Sequence, residues 1–293
     1  VISTNMRFML NFKSFIKAWR DYPLETNKPL AERYIVQELI GEGSYGLIYK
    51  CTDRISGSSV AVKQARPSKG SRAEKFLKRE ADILKTVGHP QIPEYIDLFK
   101  DTNGSYLVMS FLHGDTFEDL IFDQGKRLTE EDCVRYTLDL LDLVEHIHQK
   151  GFVHLDLRIP NVFVNDGRLY LIDFGLARKI GEPPPRVRPP GKGLPFMRSS
   201  SGRFKTAEIQ SDLFDIGHFM LFLLYSSYEP DKSLSSKADD RGWQEELDLS
   251  DELRKILERL LELREPYAGI HHLKEDLLRL RRLHDEYGKS TES

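Results

Sequence analysis

The run Gly41-Glu42-Gly43-Ser44-Tyr45-Gly46 lies between two short strand patterns, residues 35–40 and 46–52, with no helical pattern directly after it. That placement constrains the fold more than any other feature of the chain. A dinucleotide-binding βαβ unit needs its glycines between a strand and a helix, whose N-terminus takes the phosphates. Between antiparallel strands, glycines instead let a hairpin backbone close over the phosphates of a nucleotide. A polar loop containing Gly57 leads to a third, β-branched strand over residues 59–64. The spacing then predicts a charged helix over about residues 72–87, with Phe76, Ile83 and Leu84 on its apolar side and Gly88-His89-Pro90 as its stop. Strands over residues 95–100 and 106–111, joined by the turn Asp101-Thr102-Asn103-Gly104, complete an antiparallel sheet with one helix.

Beyond this sheet the pattern is mainly helical. Thr129-Glu130-Glu131-Asp132 reads as an N-cap with an acidic first turn, opening a helix that runs to about Lys150. Short strand pairs surround residues 162–164 and 170–172. The proline-rich stretch 181–193 can be neither helix nor inner strand. A buried helix starts near Asp212, residues 226–248 read as irregular and polar, and helices over about 251–263 and 270–287 close the chain. The apolar run 214–225 is about half the roughly 20 residues a bilayer span needs, so no transmembrane segment is expected. Residues 1–24 lack the small-residue cleavage site of a secretory signal.

Residues 1–33 form an N-terminal extension. Phe8, Met9, Phe12, Phe15, Ile16 and Trp19 recur at helical spacing with Lys13, Lys17 and Arg20 between them, predicting a basic amphipathic helix. It is expected to pack on the domain; peripheral membrane or partner contact through residues 7–20 is the other reading. A net charge of −3 gives no global pull toward nucleic acid, and no specific nucleic-acid partner is expected. Cys51 and Cys133, far apart and without nearby histidines, exclude a disulfide scaffold and a zinc module. They fit a reducing compartment, and the expected location is cytoplasmic.

Three further motifs carry chemistry. Val60-Ala61-Val62-Lys63 puts a single ammonium on an apolar strand, where it needs a paired carboxylate. Glu80, on the next helix, is the natural partner. In His154-Leu155-Asp156-Leu157-Arg158-Ile159-Pro160-Asn161, one loop can present the Asp156 carboxylate and the Asn161 amide to one small volume. Ile172-Asp173-Phe174-Gly175 follows an apolar strand, and Asp173 offers oxygen ligands to a hard cation such as Mg²⁺.

In this order, over about residues 34–283, the four motifs resemble those of the eukaryotic-like (Hanks-type) serine/threonine protein kinases in a compact bacterial form. The resemblance implies an α+β, bilobal protein-kinase-like fold. Its N-lobe, residues 34–112, would be an antiparallel β-sheet plus one helix; its C-lobe, residues 113–288, would be mainly helical, with a tail at 289–293. It implies ATP-dependent transfer to Ser/Thr hydroxyls of protein substrates, the chain itself among them, with Mg²⁺ as the metal or Mn²⁺ in its place. Lys63, fixed by Glu80, would hold the α- and β-phosphates beneath Gly41, Gly43 and Gly46. Asp156 would orient the acceptor hydroxyl or take its proton. Arg158 would contact the transferring phosphate, and Asn161 and Asp173 would ligate the metal. Ile40, Ile48, Ala61, Met109, Leu112 and Phe163 would enclose the adenine, Met109 at the rear, with the backbone of Ser110 to Leu112 on the adenine edge. Core packing is the competing role for each of these apolar residues. Asp212 would brace the catalytic loop.

The chain also departs from the family pattern. Leu155 replaces the arginine that normally reads an activation-segment phosphate, so activity is expected not to depend on phosphorylation there. Arg198-Ser199-Ser200 stands where the family has Ala-Pro-Glu. The segment between is basic and proline-rich, a solvated loop or a dock for acidic substrates. Two other functions share part of the motif set: a small-molecule kinase of the aminoglycoside or sugar type, and a nucleotide-binding pseudokinase scaffold. The complete glycine run and the long segment between Asp173 and Asp212 disfavour the first; the intact Lys63, Asp156, Asn161 and Asp173 disfavour the second.

Overall fold

The computed structural model describes residues 21–183, 207–229 and 242–291, with side chains in the last stretch described to residue 283. The expected amphipathic helix at 7–20, most of the proline-rich stretch and Arg198-Ser199-Ser200 lie outside these residues. The chain divides into two compact units, Val1–His113 and Gly114–Ser293.

The first unit is built on a six-stranded antiparallel sheet, in the order β1-β2-β3-β4-β6-β5. Its strands are β1 (Pro29–Leu30), β2 (Tyr34–Glu42), β3 (Gly46–Asp53), β4 (Ser59–Ala65), β5 (Tyr95–Asp101) and β6 (Gly104–Ser110). Alternation in β3 turns Leu47, Tyr49 and Cys51 to one face, where they join Leu30, Tyr34, Val36, Val60, Val62, Tyr106 and Val108 in a core. A polar thread runs through it. The Tyr49 hydroxyl donates to Gln64 at 3.2 Å and accepts from the Leu24 amide at 3.1 Å, while Gln64 Nε2 donates to the Tyr106 hydroxyl at 3.2 Å. Residues 24–30, which the sequence sets apart as part of an extension, thus join this sheet through β1, Leu24 and the fully buried Leu30. The β5–β6 turn is closed by Asp101, whose carboxylate accepts from the amides of Asn103 at 2.6 Å and Gly104 at 3.1 Å. Among the described residues of this unit, the helix α1 (Ser71–Val87) buries Ala73, Leu77, Glu80, Ala81, Ile83, Leu84 and Val87 at 3–4 spacing.

The second unit is mainly helical. Helix α2 (Glu130–Gln149) opens with a reciprocal cap, Thr129 accepting from the Asp132 amide while Asp132 reaches back to the Thr129 amide. Helix α3 (Ile209–Tyr225) begins one turn earlier than its sequence start near Asp212 suggests. The chain continues through the single turn α4 (Trp243–Glu246), α5 (Asp251–Leu260) and α6 (Ile270–Thr291). Helix α5 stops three residues short of the predicted 263, at Leu260, and Glu262 then adopts a positive φ of 58°. A Cβ on Gly217 would sit 2.9 Å from Leu260 Cβ, so only glycine lets α3 approach the end of α5 this closely. Three short ladders complete the unit. The hairpin β9 (Val162–Asn165) and β10 (Arg168–Leu171) turns through Asp166 and Gly167, both at positive φ. Strand β7 (Asp115–Thr116) pairs with β9, and β8 (Phe152–Val153) pairs with β11 (Arg178–Lys179). Two-residue strands carry too little pattern to be read from sequence, and β1, β7, β8 and β11 were not expected.

Candidate functional site

In the first unit, Lys63 is central to β4, paired with Ile48 of β3 and Leu107 of β6. Its Nζ lies 2.7 Å from Glu80 Oε2, and the two side chains are 10% and 2% exposed. At this burial neither charge is tolerable without the other. Gly46 covers the lysine: a Cβ there would lie 3.2 Å from Lys63 Cγ, Lys63 Cε and the Gln64 carbonyl. The glycine run is tighter than a free loop, because β2 continues through Gly41 and Glu42 and the Gly43 amide donates to the Gly46 carbonyl at 2.8 Å. Gly41 pairs with Ile48 across a β-irregularity at Ile40, which leaves Ile40 exposed. Ala61 and Met109 are buried cross-strand neighbours. Ser110 ends β6 with its amide bonded to the Glu94 carbonyl, and Leu112 follows, half-buried.

In the second unit, Asp156, Arg158 and Asn161 converge. Asn161 Nδ2 donates to the Asp156 carbonyl and to Asp156 Oδ2, both at 2.9 Å. The Asn161 amide nitrogen is thus turned toward the carboxylate, and its Oδ1 is the side chain's acceptor atom. Arg158 forks onto the same carboxylate, Nε at 2.5 Å and Nη2 at 3.1 Å. The resemblance assigns Arg158 to a transferring phosphate; here it lies on Asp156. The Asn161 carbonyl accepts from the Ile172 amide at 3.0 Å, tying this loop to the strand end that carries Asp173. Asp173 is left-handed, φ 61°, and its side chain accepts from the Gly175 amide. Phe163, half-buried on β9, pairs with Tyr170 and Thr116.

Beneath the loop sits Asp212, fully buried. It accepts from the amides of His154 at 2.9 Å and Leu155 at 2.7 Å, and lies 2.8 Å from His148 Nε2. Burial raises the pKa of this carboxyl, but the His148 hydrogen bond, the charges of His148 and His154 and the Leu155 amide outweigh it, and the net shift is downward. Leu155 is itself strained, with φ at 65°, and packs with Val153 and Ala207. His154 joins Ile172 and Phe174, its ring nitrogen 3.1 Å from the Ile172 carbonyl and its ring edge-on to Phe174 at 4.8 Å. Sequence reasoning placed Asp212 but not His148, which sits on α2 with no motif around it. Only the crossing of α2 and α3 brings it to the carboxylate.

Mg²⁺ asks for near-octahedral oxygen coordination and is held by few protein ligands plus phosphates and water. A donor set of Asn161 Oδ1 and the Asp173 carboxylate fits that demand. Among the described residues no group of three or more His, Cys, Asp or Glu could hold a metal alone.

The family model for the protein kinase domain matches residues 34–266. The chain is 36% identical, over 88% of its length and 93% of the relative's, to the probable serine/threonine-protein kinase YbdM of Bacillus subtilis (strain 168). It is 35% identical to cyclin-dependent kinase D-1 of Arabidopsis thaliana, over 55% of the chain and 40% of that protein. To the hormonally up-regulated neu tumor-associated kinase of Homo sapiens it is 33% identical, over 57% of the chain and 25% of that protein. The chain belongs to the protein kinase family, whose members use ATP and a divalent metal. Among the described residues, the antiparallel sheet with helix α1, followed by a mainly helical unit, is the fold that family predicts. Among the described residues no helix is long and apolar enough to cross a membrane.

Proposed function

We propose that this chain transfers the γ-phosphate of ATP to serine and threonine hydroxyls of protein substrates, its own chain among them. The observation that carries the reading is the Asp156 carboxylate, 5% exposed and held by both Asn161 and Arg158. Asp156 orients the acceptor hydroxyl and takes its proton, a task that depends on position more than on basicity. Arg158, 42% exposed, moves off Asp156 onto the departing phosphoryl group, offering a planar fork where a lysine would offer a point charge. Lys63, oriented by Glu80, binds the α- and β-phosphates under the Gly41–Gly46 turn, and Asn161 and Asp173 hold the metal. Mg²⁺, or Mn²⁺ in its place, supplies charge neutralisation on the phosphate oxygens when bound. In the first unit, Ile40, Ile48, Ala61, Met109 and Leu112 line the adenine site.

Serine/threonine preference is supported by the likeness to YbdM across almost the whole chain. A cytoplasmic setting is supported by Cys51 and Cys133, both free and buried. Labelled ATP offered with protein, sugar and aminoglycoside acceptors, followed by phosphoamino-acid analysis, tests the reading. Phosphoserine and phosphothreonine are expected, and are lost in Asp156→Asn. Transfer only to small molecules, or label that survives Asp156→Asn combined with Lys63→Ala, would refute it.

A further inference from the structure

The tip of the β2–β3 hairpin is tied down by a residue outside every motif discussed above. Arg66 follows β4 directly. Its Nε donates to the Gly43 carbonyl at 3.0 Å, and its backbone amide donates to the Tyr45 carbonyl at 2.8 Å. Of its terminal nitrogens, Nη2 lies 3.4 Å from the Glu42 carboxylate and Nη1 lies 3.4 Å from the Asp21 carboxylate. One rigid guanidinium therefore reaches both the glycine turn and the segment that precedes the sheet. Asp21 is fixed in its turn. It accepts from the Ser68 amide at 2.9 Å and the Ser68 hydroxyl at 2.5 Å, on the 3₁₀ turn Pro67–Lys69 that leads into α1. The Arg66 and Asp21 side chains are only 18% and 14% exposed, so solvent screens this pair less than a surface ion pair.

A second tether converges on the same place. The Tyr45 ring, inside the glycine run, meets Phe76 of α1 edge-on at 4.7 Å. The Arg72 guanidinium lies 5.5 Å from the Tyr45 ring centre and 5.8 Å from that of Phe76. Phe76 precedes Glu80 by one helical turn on the same helix, and Glu80 holds Lys63. The turn tip, the helix that aims the phosphate-binding lysine and the entering segment at Asp21 are thus joined within one unit.

We propose that Arg66 is a positioning residue for the nucleotide: it holds the Gly41–Gly46 turn closed and couples that turn to the segment entering at Asp21. The inference rests on the kinase reading above, because it takes the turn to cover the phosphates. A turn already held does not have to be ordered when the nucleotide binds. Releasing it therefore weakens nucleotide affinity and leaves the groups around Asp156 untouched.

The test measures the Kd of a non-hydrolysable ATP analogue with Mg²⁺ by calorimetry, with KM for ATP and kcat alongside, on full-length variants. Arg66→Ala is expected to raise Kd and KM about 5- to 10-fold, the loss of one charge-assisted hydrogen bond, with kcat at saturating ATP within about twofold. Asp21→Ala shifts Kd in the same direction by about two- to threefold, and the double variant is no worse than Arg66→Ala alone, because both act through one contact. Arg33→Ala breaks the ion pair with Asp53 at the opposite end of the same hairpin. It is expected to lower the melting temperature without moving Kd, which separates positioning from general destabilisation. Arg66→Lys keeps a charge near Asp21 but loses the fork, and its intermediate Kd gives the same test should Arg66→Ala not fold. An unchanged Kd in the Arg66 variants, an equal shift in Arg33→Ala, or full additivity with Asp21→Ala overturns the inference alone. Failure of the unaltered protein to bind the analogue overturns the kinase reading and this inference together.

Discussion

Replacing Asp212 tests how the second unit holds its reacting groups. The carboxylate accepts from His148 and from the amides of His154 and Leu155, with no exposure to water. In Asp212→Ala, two buried amides lose their acceptor, each at about 1–3 kcal/mol, and the truncation leaves a cavity. The sum, about 3–6 kcal/mol, is a large part of the roughly 5–15 kcal/mol that holds a domain folded. Asp212→Asn keeps one acceptor oxygen and turns an N–H₂ toward the remaining donors, so about half that loss is expected. The activity effect follows from Leu155. Its positive φ costs about 1–3 kcal/mol and persists only while its surroundings enforce it. Once the amide contact is lost, Leu155 relaxes and carries Asp156 with it. A shift of about 1 Å at a reacting group costs on the order of 100-fold in rate.

The pH behaviour carries the same sign. A carboxyl held below its ordinary value contributes stability above about pH 4, and that contribution is lost as pH falls through the folded-state value. Asp212→Asn removes this portion of the acid dependence. Thermal and urea unfolding at several pH values, with kcat measured below the melting range, read all three effects. An Asp212→Asn protein that melts like the parent and keeps kcat within about twofold would refute the bracing role and the strain attributed to Leu155.

Lys63→Met leaves Glu80 buried without its lysine and is expected to lose about 3–5 kcal/mol of stability along with phosphoryl transfer; Lys63→Met with Glu80→Leu regains stability but not activity, as denaturant titration and labelled-ATP assay will show. Phosphatase treatment is expected to leave activity unchanged, because Leu155 offers an apolar contact with Val153 and Ala207 where a phosphate reader would carry charge. Loss of activity both on dephosphorylation and on Ser/Thr replacement within residues 176–206 would contradict that. The Arg33 hydrogen bond holds the Asp53 carboxyl far below the usual carboxylate range, so its stabilisation is complete above about pH 4 and fades in stronger acid. Asp53→Asn should be less stable than the parent at neutral pH, with the difference shrinking in acid melts.

Sequence order alone determined the sheet-then-helices layout, because it rests on local signals: β-branched and apolar runs in the first strands, the apolar side of α1, the Asp101–Gly104 turn and the Thr129 cap. It also singled out Lys63, Glu80, Asp156, Asn161 and Asp173, since a lone lysine on an apolar strand and polar groups at short spacing announce themselves by type. Contacts between residues far apart in the chain left no such mark. His148 reaches Asp212 across 64 positions, Arg66 reaches Asp21 across 45, and Leu24 donates to Tyr49 across 25. Each pairing depends on which helix or strand packs beside which, a property of the folded chain and not of any window of residues. The tertiary structure also decided what Arg158 touches. Its type and offset suit either a phosphate or a carboxylate, and only the fold of the 156–161 loop puts its fork on Asp156.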